Sequence, residues 1–308
     1  MLLGLELAPT RAAAVLADME GVAQFALRQG FPPSSTPATQ WLSAMELCHA
    51  LLHRAAVTPN ALQRIGISFP SPVSRQGIAL KDPTYPGWEG YDLKRGLREH
   101  LGLGSLEGEA IVAASRSLAA GWGEAHFGAL RGDDNWLYLH LGSALESAVS
   151  INGHALTGSS CSGGDIGGLI IERDGALDAF GRRGTLRAYC SSEAFESRAR
   201  SYGLTLAAAS EIWAMAHSSF VAQSLVEDFT ERLAQGIAGA ISLLEPSQIC
   251  IGGAFGTAIF EQLGEPLASK LRDMALPRAV ERLKIVKAQL GDDAASLGAI
   301  ALVLHPPF

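Results

Sequence analysis

Few residues of this 308-residue chain have the type and spacing that chemistry requires. Asp165 lies in a Gly-Asp-Ile-Gly segment, where its carboxylate could bind a hydroxylated ligand or cap the following turn. Gly252 and Gly253 fall between a predicted strand and a predicted helix, which suits either close approach of a ligand or a turn with positive φ. His126 and His140 stand alone, and we expect each to make a structural hydrogen bond rather than to catalyse. These residues by themselves identify no reaction.

The composition indicates a folded protein with a large apolar core. Hydrophobic residues make up 48% of the chain and charged residues only 18%. With 24 Lys and Arg against 31 Asp and Glu, the net charge of −7 disfavours nucleic acid and anionic membranes as partners. The four cysteines form no C-x-x-C pair and fit neither a disulfide framework nor a zinc ribbon. Without a basic leader or a long uncharged apolar stretch, we expect a cytoplasmic protein.

The elements that must position these residues follow a pattern that occurs twice. In the first half the sequence predicts strands at 2–7, 12–17, 22–27, 65–69 and 110–114 and helices at 39–56, 91–101 and 118–127. In the second half it predicts strands at 135–141, 148–151, 169–172, 248–251 and 283–287 and helices at 186–202, 205–217, 221–244, 257–274 and 294–304. This repetition predicts a duplicated α/β fold with a ligand cleft between its halves.

Three segments resemble the ROK family of sugar kinases and sugar-responsive repressors. They are residues 135–158 with their Asn-Gly hairpin turn, the Gly-Arg-Arg-Gly-Thr-Leu-Arg-Ala-Tyr run at 181–189, and residues 283–298. The resemblance runs from about Leu2 to Leu304. It implies the actin/hexokinase-like (ribonuclease H-like) α/β fold, with a first domain at 1–117 that regains a C-terminal helix at 292–308 and a second domain at 118–291. It also implies a homodimer.

The catalytic base of the family is missing from the matching segment. Relatives carry an aspartate within Asn-Asp-Ala-Asn, where this chain has Ser115-Arg116-Ser117-Leu118, and residues 110–123 contain no Asp or Glu. Arginine stays protonated and cannot accept the proton of a sugar hydroxyl. We therefore expect no catalytic residue here, with Asp165 or Glu124 as the only fallback bases.

The resemblance places a degenerate ATP site on two loops and the glycine pair. The first loop keeps Thr10 and Arg11 but has Ala8 and Pro9 where the family has glycines, and proline has no N–H for a phosphate. The second loop keeps Gly142 and Ser143 but ends at Glu146, a charge that repels a phosphate group about 4 Å away by roughly 4 kcal/mol. The third part is Gly252 and Gly253, where the family contacts adenosine. We therefore expect these loops to bind the phosphates of ATP poorly.

The resemblance also implies substrate contacts. The matching positions are Thr84, Ser115, Arg116, Asp165 and Arg187. Asp165 keeps a carboxylate where the family has glutamate, whereas Arg116 and Arg187 replace carboxylates. Two such reversals could favour an acidic ligand; otherwise the arginines form ion pairs with Asp165 or Glu124.

The structural zinc of the family has no ligands here. The four matching positions hold Gly168, Asp178, Phe180 and Thr185, which do not make a zinc set. We expect no zinc, and a loop at 175–187 held by packing of Phe180 and Leu186 and by turns at Gly181 and Gly184.

Three functions remain open. We favour a catalytically degenerate sugar-kinase-like protein, a pseudokinase with a ligand-binding or regulatory role and no cofactor. The alternative is an active ATP- and Mg-dependent hexose or N-acetylhexosamine kinase that uses a relocated carboxylate. A DNA-binding repressor is the least favoured, because repressors of the family carry a helix-turn-helix domain ahead of the first strand, where this sequence starts, and because no basic face is evident. The expected partners are a carbohydrate or anionic small molecule and a second copy of the chain.

Overall fold

The computed structural model describes residues 1–104, 106, 108–204 and 208–307, which form two compact units. The first unit comprises residues 1–131, 157–163 and 293 onward, and the second comprises 132–156 and 164–292. Among the described residues, no helix combines the length and apolar composition needed to cross a bilayer.

The first unit is built on a five-stranded mixed sheet. Its strands are β1 (Leu2–Ala8), β2 (Arg11–Ala17), β3 (Ala23–Gly30), β4 (Arg64–Phe69) and β5 (Ile111–Ser115), in the order β3-β2-β1-β4-β5. The first three strands form an antiparallel meander, whereas β4 and β5 run parallel to β1. β1 is buried along its whole length, as its nearly unbroken apolar sequence predicts.

The second unit repeats this topology. Its strands are β6 (Trp136–Leu141), β7 (Leu145–Ile151), β8 (His154–Ala155), β9 (Gln248–Gly252) and β10 (Lys284–Lys287), in the order β10-β9-β6-β7-β8. Again the first three strands are antiparallel, and the last two run parallel to the first. The same strand order in both units confirms the predicted duplicated α/β fold.

The helices cover these sheets. The first unit contains α1 (Pro37–Arg54), α2 (Leu93–Leu101), α3 (Arg116–Phe127) and α9 (Ala294–Leu304). The second contains α4 (Ser192–Ser201), α5 (Ala209–Ala214), α6 (Phe220–Leu244), α7 (Ala254–Met274) and α8 (Pro277–Val280). A capping box between Thr36 and Thr39, followed by Pro37, fixes the start of α1. A buried aromatic cluster joins four elements of the second unit through Phe195, Trp213, Phe229 and Phe255.

Glycines allow α9 to pack closely in the first unit. A Cβ added at Gly4 of β1 would lie 2.6 Å from the Ser296 carbonyl oxygen, and one added at Gly66 of β4 would overlap the Ala299 carbonyl. Where α3 meets α9, a Cβ at Gly298 would overlap the Ala119 carbonyl. This packing keeps α3 in the first unit. We predicted that the first domain ends at residue 117, but the chain passes to the second unit only after Arg131.

Three predicted elements differ from the structure. The strand predicted at 169–172 is an irregular segment with one isolated bridge, between Ile170 and Thr185. The helix predicted at 186–202 is interrupted, because a 3₁₀ turn at Leu186–Ala188 precedes α4, which starts at its N-cap Ser191. The helix predicted at 205–217 corresponds to α5 and a 3₁₀ turn, while its first three residues lie outside the described part of the chain.

Candidate functional site

The carboxyl edge of the first sheet holds the Thr10–Arg11 turn and Arg116. Because β1 and β5 both run parallel to β4, the turn after Ala8 and the segment after Ser115 lie at the same edge. Ser115 caps α3 by accepting from the Leu118 N–H at 3.4 Å, so Arg116 is the first helical residue. The structure thus places Arg116 at the helix N-terminus, where the family resemblance implies a catalytic carboxylate.

A hydrogen-bonded chain joins the turn to the surroundings of Arg116. The Gln40 side-chain amide donates to the Pro9 carbonyl at 3.1 Å, and its oxygen accepts from the Tyr85 hydroxyl at 2.7 Å. Burial raises the pKa of Tyr85, and the positive charge of Arg116 opposes this rise only in part. Sequence reasoning missed Gln40 and Tyr85, because neither stands in a motif.

An ion pair joins the two strands beside this turn. Arg11 lies 3.8 Å from the carboxylate of Glu6, whose side chain is 3% exposed. The Thr10 carbonyl accepts from the Phe31 N–H at 2.7 Å. Much of the polar surface of this turn is therefore engaged in contacts within the first unit.

Two further candidates of the first unit have local partners. Asp82 accepts from the Thr84 N–H at 2.8 Å and from the Thr84 hydroxyl at 2.6 Å, which leaves that exposed hydroxyl as an acceptor only. Glu124 is fully buried, and its carboxylate accepts from the Ala129 N–H at 2.8 Å. This contact stabilises the turn after α3, a structural role for one of the two fallback bases.

In the second unit, the Gly142–Ser143 loop and the glycine pair also share a sheet edge, since β6 and β9 are parallel. The Gly142 N–H donates to the Ala144 carbonyl at 3.1 Å, and the Gly142 carbonyl accepts from Ser192 at 2.8 Å. Across the hairpin, Glu146 pairs in register with His140. The N–H of Gly142 is therefore used within the loop.

At both positions of the glycine pair, the surrounding structure leaves no room for a side chain. Gly253 has φ of +82° and caps α7, and a Cβ there would overlap the Leu141 carbonyl. A Cβ at Gly252 would overlap the hydroxyl of Tyr138. The turn interpretation therefore accounts for both glycines, whatever else binds beside them.

Asp165 and Arg187 form an ion pair in the second unit. The Arg187 guanidinium donates to Asp165, whose other oxygen accepts from the Gly167 N–H at 3.2 Å. The Arg187 side chain is 10% exposed and that of Asp165 is 37% exposed. The expected pairing of Arg187 with Asp165 is confirmed, and it gives this patch both a carboxylate and a guanidinium.

Asp178, at a position where the family resemblance implies a zinc ligand, organises the loop at 175–187. Its buried carboxylate accepts from the Thr185 hydroxyl at 2.8 Å and from the N–H groups of Phe180 at 2.9 Å and Arg182 at 2.8 Å. The guanidinium of Arg187 lies 3.9 Å away and that of Arg182 lies 3.6 Å away. Burial raises the pKa of Asp178, but these hydrogen bonds together hold it below its ordinary value.

This network corrects our prediction for the loop. Leu186 is buried and both Gly181 and Gly184 have positive φ, as expected. Phe180, however, is 38% exposed and lies under the Arg187 guanidinium, 4.6 Å from its ring centroid. The loop is held by a buried carboxylate rather than by Phe180. Outside the gaps at 105, 107, 205–207 and 308, no three His, Cys, Asp or Glu side chains are placed to hold a metal ion.

Two α/β units of identical strand order define the actin/hexokinase-like fold class. Residues 2–305 match the sequence profile of the ROK family, so the chain belongs to that family. It is 28% identical to the glucokinase of Thermotoga maritima over 78% of each chain, and 30% identical to the kanosamine kinase of Amycolatopsis mediterranei over 78% of this chain and 77% of that one. The crystal structure of the ROK hexokinase from Thermus thermophilus matches with a TM-score of 0.83 at 24% identity, covering 98% of this chain and 97% of that chain.

Proposed function

We propose that this ROK-family protein is a pseudokinase, in which a sugar-kinase fold binds a small-molecule ligand without transferring a phosphoryl group. Its role would then be regulatory, with ligand occupancy as the signal. No cofactor is needed for this role.

The observation that carries the proposal is Arg116 at the first position of α3. Phosphoryl transfer to a sugar needs a group that takes the proton of the attacking hydroxyl. A guanidinium cannot do so at neutral pH, and Glu124, on the same helix, is buried against the Ala129 N–H. Among the described residues of α3, Glu124 is the one carboxylate, and its contact with the Ala129 N–H makes it a poor candidate for the base.

The two loops that the resemblance assigns to phosphate binding support the same proposal. Backbone N–H groups and Mg²⁺ normally neutralise the phosphates of a nucleotide. Here Pro9 supplies no N–H, the Gly142 N–H bonds within its own loop, and Glu146 adds a negative charge on β7. We propose that Thr10, Arg11, Ser143 and the glycine pair are the remains of an ATP site.

The ligand we propose is a carbohydrate or an anionic relative of one. In the second unit, the exposed carboxylate of Asp165 can accept hydrogen bonds from hydroxyl groups, and Arg187 can donate to an acidic group. In the first unit, Arg116 offers a guanidinium donor, and Thr84 and Ser115 offer hydroxyl groups.

A ligand screen combined with a turnover assay tests the proposal. Native-state binding raises the thermal midpoint, so a panel of hexoses, N-acetylhexosamines and sugar acids, each with and without ATP and Mg²⁺, will identify ligands. A coupled ADP-release assay on the same panel will measure turnover. We expect at least one stabilising sugar or sugar acid and no sugar-dependent ADP release. Sustained turnover would contradict the proposal.

The alternative is an active sugar kinase with a relocated base. The 30% identity to a kanosamine kinase favours it, as does the partial exposure of Asp165. If turnover is observed, the activities of Asp165→Asn and Glu124→Gln will show which carboxylate acts as the base. Full activity in both variants would mean that neither does.

Two further properties follow from family membership and remain proposals. We propose that the protein is a homodimer and that it acts in the cytoplasm. Light scattering that gives the mass of one 32.3 kDa chain would contradict the dimer.

A further inference from the structure

A recess lies in the first unit, and none of the candidate site residues is among those that line it. It has a volume of about 560 Å³, within the range of small-molecule sites. Two short loops form its walls, and its lining residues are Ser74, Arg75, Gln76, Leu80, Gly158, Ser159, Ser160 and Cys161. All of them belong to the first unit.

The first wall is a tight hairpin with a fixed shape. The Ser74 N–H donates to the Ile78 carbonyl at 2.9 Å, and the Ser74 hydroxyl accepts from the Ile78 N–H at 3.1 Å. Gly77 turns the chain with φ of +91°, and Lys94 of α2 packs against it while donating to the Arg75 carbonyl at 3.2 Å. This wall is therefore pre-formed, which lowers the entropic cost of binding.

The second wall is a short loop whose ends are tied together. The Gly163 N–H donates to the Thr157 carbonyl at 2.8 Å, and the Ser162 hydroxyl donates to the Ser160 carbonyl at 3.3 Å. Cys161 adopts a left-handed conformation with φ of +56°, a strained backbone for a residue with a side chain. Of the four cysteines, it is the one that is not buried.

The polar side chains that line the recess favour an anionic ligand. Its polar side chains are hydroxyl, amide and guanidinium donors, and no acidic side chain occurs among the residues that line the recess. Arg75 provides a cation, and Lys94 places a second one behind the hairpin. A phosphate group has enough acceptor oxygens to bind a guanidinium and several hydroxyl groups together, which a single carboxylate does less well.

We propose that this recess binds a phosphate monoester of a hexose-sized polyol, with Arg75 and the serine hydroxyls around the phosphate. The residues that line this recess do not include Arg116, Asp165 or Arg187. It does not depend on whether the protein transfers phosphoryl groups.

Alkylation of Cys161 reports occupancy of the recess. Iodoacetamide is uncharged and will react with Cys161 in the native protein, while Cys48, Cys190 and Cys250 are buried. The rate of labelling, assigned by peptide mass spectrometry, is measured alone and with glucose 6-phosphate, glucose, glucuronate or inorganic phosphate at equal concentration. We expect glucose 6-phosphate to slow labelling about tenfold or more at saturation, and the other three to require much higher concentrations.

Variants locate the binding. Arg75→Ala should weaken protection by about 10- to 100-fold, the usual effect of losing a hydrogen bond to a charged group. Arg95→Ala removes an equal charge from exposed α2, and Arg116→Ala removes one from the proposed kinase-like site; both should protect as the native protein does. Absence of protection, equal protection by glucuronate, or protection lost in Arg116→Ala but kept in Arg75→Ala would each overturn the proposal.

Discussion

Replacing Asp178 should loosen the loop that carries Arg187. The buried carboxylate accepts three hydrogen bonds, from Thr185 and from the backbone N–H groups of Phe180 and Arg182. In Asp178→Ala all three donors lose their acceptor, and Arg187 loses one of its two carboxylate neighbours. Removing one partner from such a buried charged network typically costs about 3–5 kcal/mol. Asp178→Asn keeps the shape of the side chain and one acceptor oxygen, so we expect it to lower the free energy of unfolding by about 1–2 kcal/mol.

Urea unfolding followed by tryptophan fluorescence, together with amide hydrogen exchange, measures this effect. The exchange of the Phe180 and Arg182 N–H groups should accelerate in both variants, while the buried strand β6 stays protected. Asp174→Ala, which removes an exposed carboxylate just before the loop, is the matched control and should change the free energy of unfolding by less than about 0.5 kcal/mol. An Asp178→Ala variant as stable as this control would refute the reasoning.

The same network sets a pH dependence of known sign. The pKa of Asp178 is lower in the folded protein than its ordinary value, so its stabilisation is complete above the unfolded-state pKa of about 3.9. The stabilisation is lost as the pH falls through the folded-state pKa. We therefore expect the stability difference between the native protein and Asp178→Asn to be constant near neutral pH and to shrink in acid. A difference that grows in acid would contradict the assigned direction.

Three further outcomes are expected. Gly298→Ala should destabilise the first unit by about 1–3 kcal/mol in thermal or urea unfolding, because its Cβ would overlap the Ala119 carbonyl. Gly239→Ala, at an open position of α6, should instead stabilise the protein by up to about 1 kcal/mol. Equal effects of the two substitutions would contradict the close packing at Gly298. Tyr85→Phe should lower the free energy of unfolding by about 1 kcal/mol, because the Gln40 side-chain oxygen loses its hydrogen-bond donor. An unchanged unfolding midpoint would count against that hydrogen bond. Elemental analysis of the purified protein should find no stoichiometric zinc, and one zinc per chain would overturn the metal-free loop.

Periodic apolar patterns predicted most of the fold. The strands of both sheets alternate with turn residues or read as continuous apolar runs, and helices such as α6 and α7 show clear helical spacing. The segment at 169–172 misled the prediction, because its apolar residues resemble a strand although Ile170 is 69% exposed and pairs only with Thr185. A few apolar residues in a row do not reveal whether a neighbouring strand is available.

The candidate site was predictable where a motif fixes the backbone, and less so where the partners are distant in sequence. The glycine pair reads directly as a turn, since Gly253 needs a positive φ. The role of Asp178 depends on Thr185 and Arg187 folding back around it, and the role of Gln40 depends on Tyr85, which is 45 residues away. No local pattern encodes such contacts. Arg116 and Arg187, at positions where the family resemblance implies carboxylates, were the signal in the sequence for a changed site.

Direct measurement of phosphoryl transfer tests the central claim. Purified protein, at a concentration comparable to that of the sugar, is incubated with Mg²⁺ and ATP labelled in its γ-phosphate, using glucose, mannose, fructose and N-acetylhexosamines as acceptors. The account predicts no labelled sugar above the blank without protein, both for the native chain and for Arg116→Asp, because Pro9 and Glu146 remain in the phosphate loops. Labelled sugar formed by the native chain at about 1 s⁻¹ or faster, an ordinary rate for kinases, would contradict it.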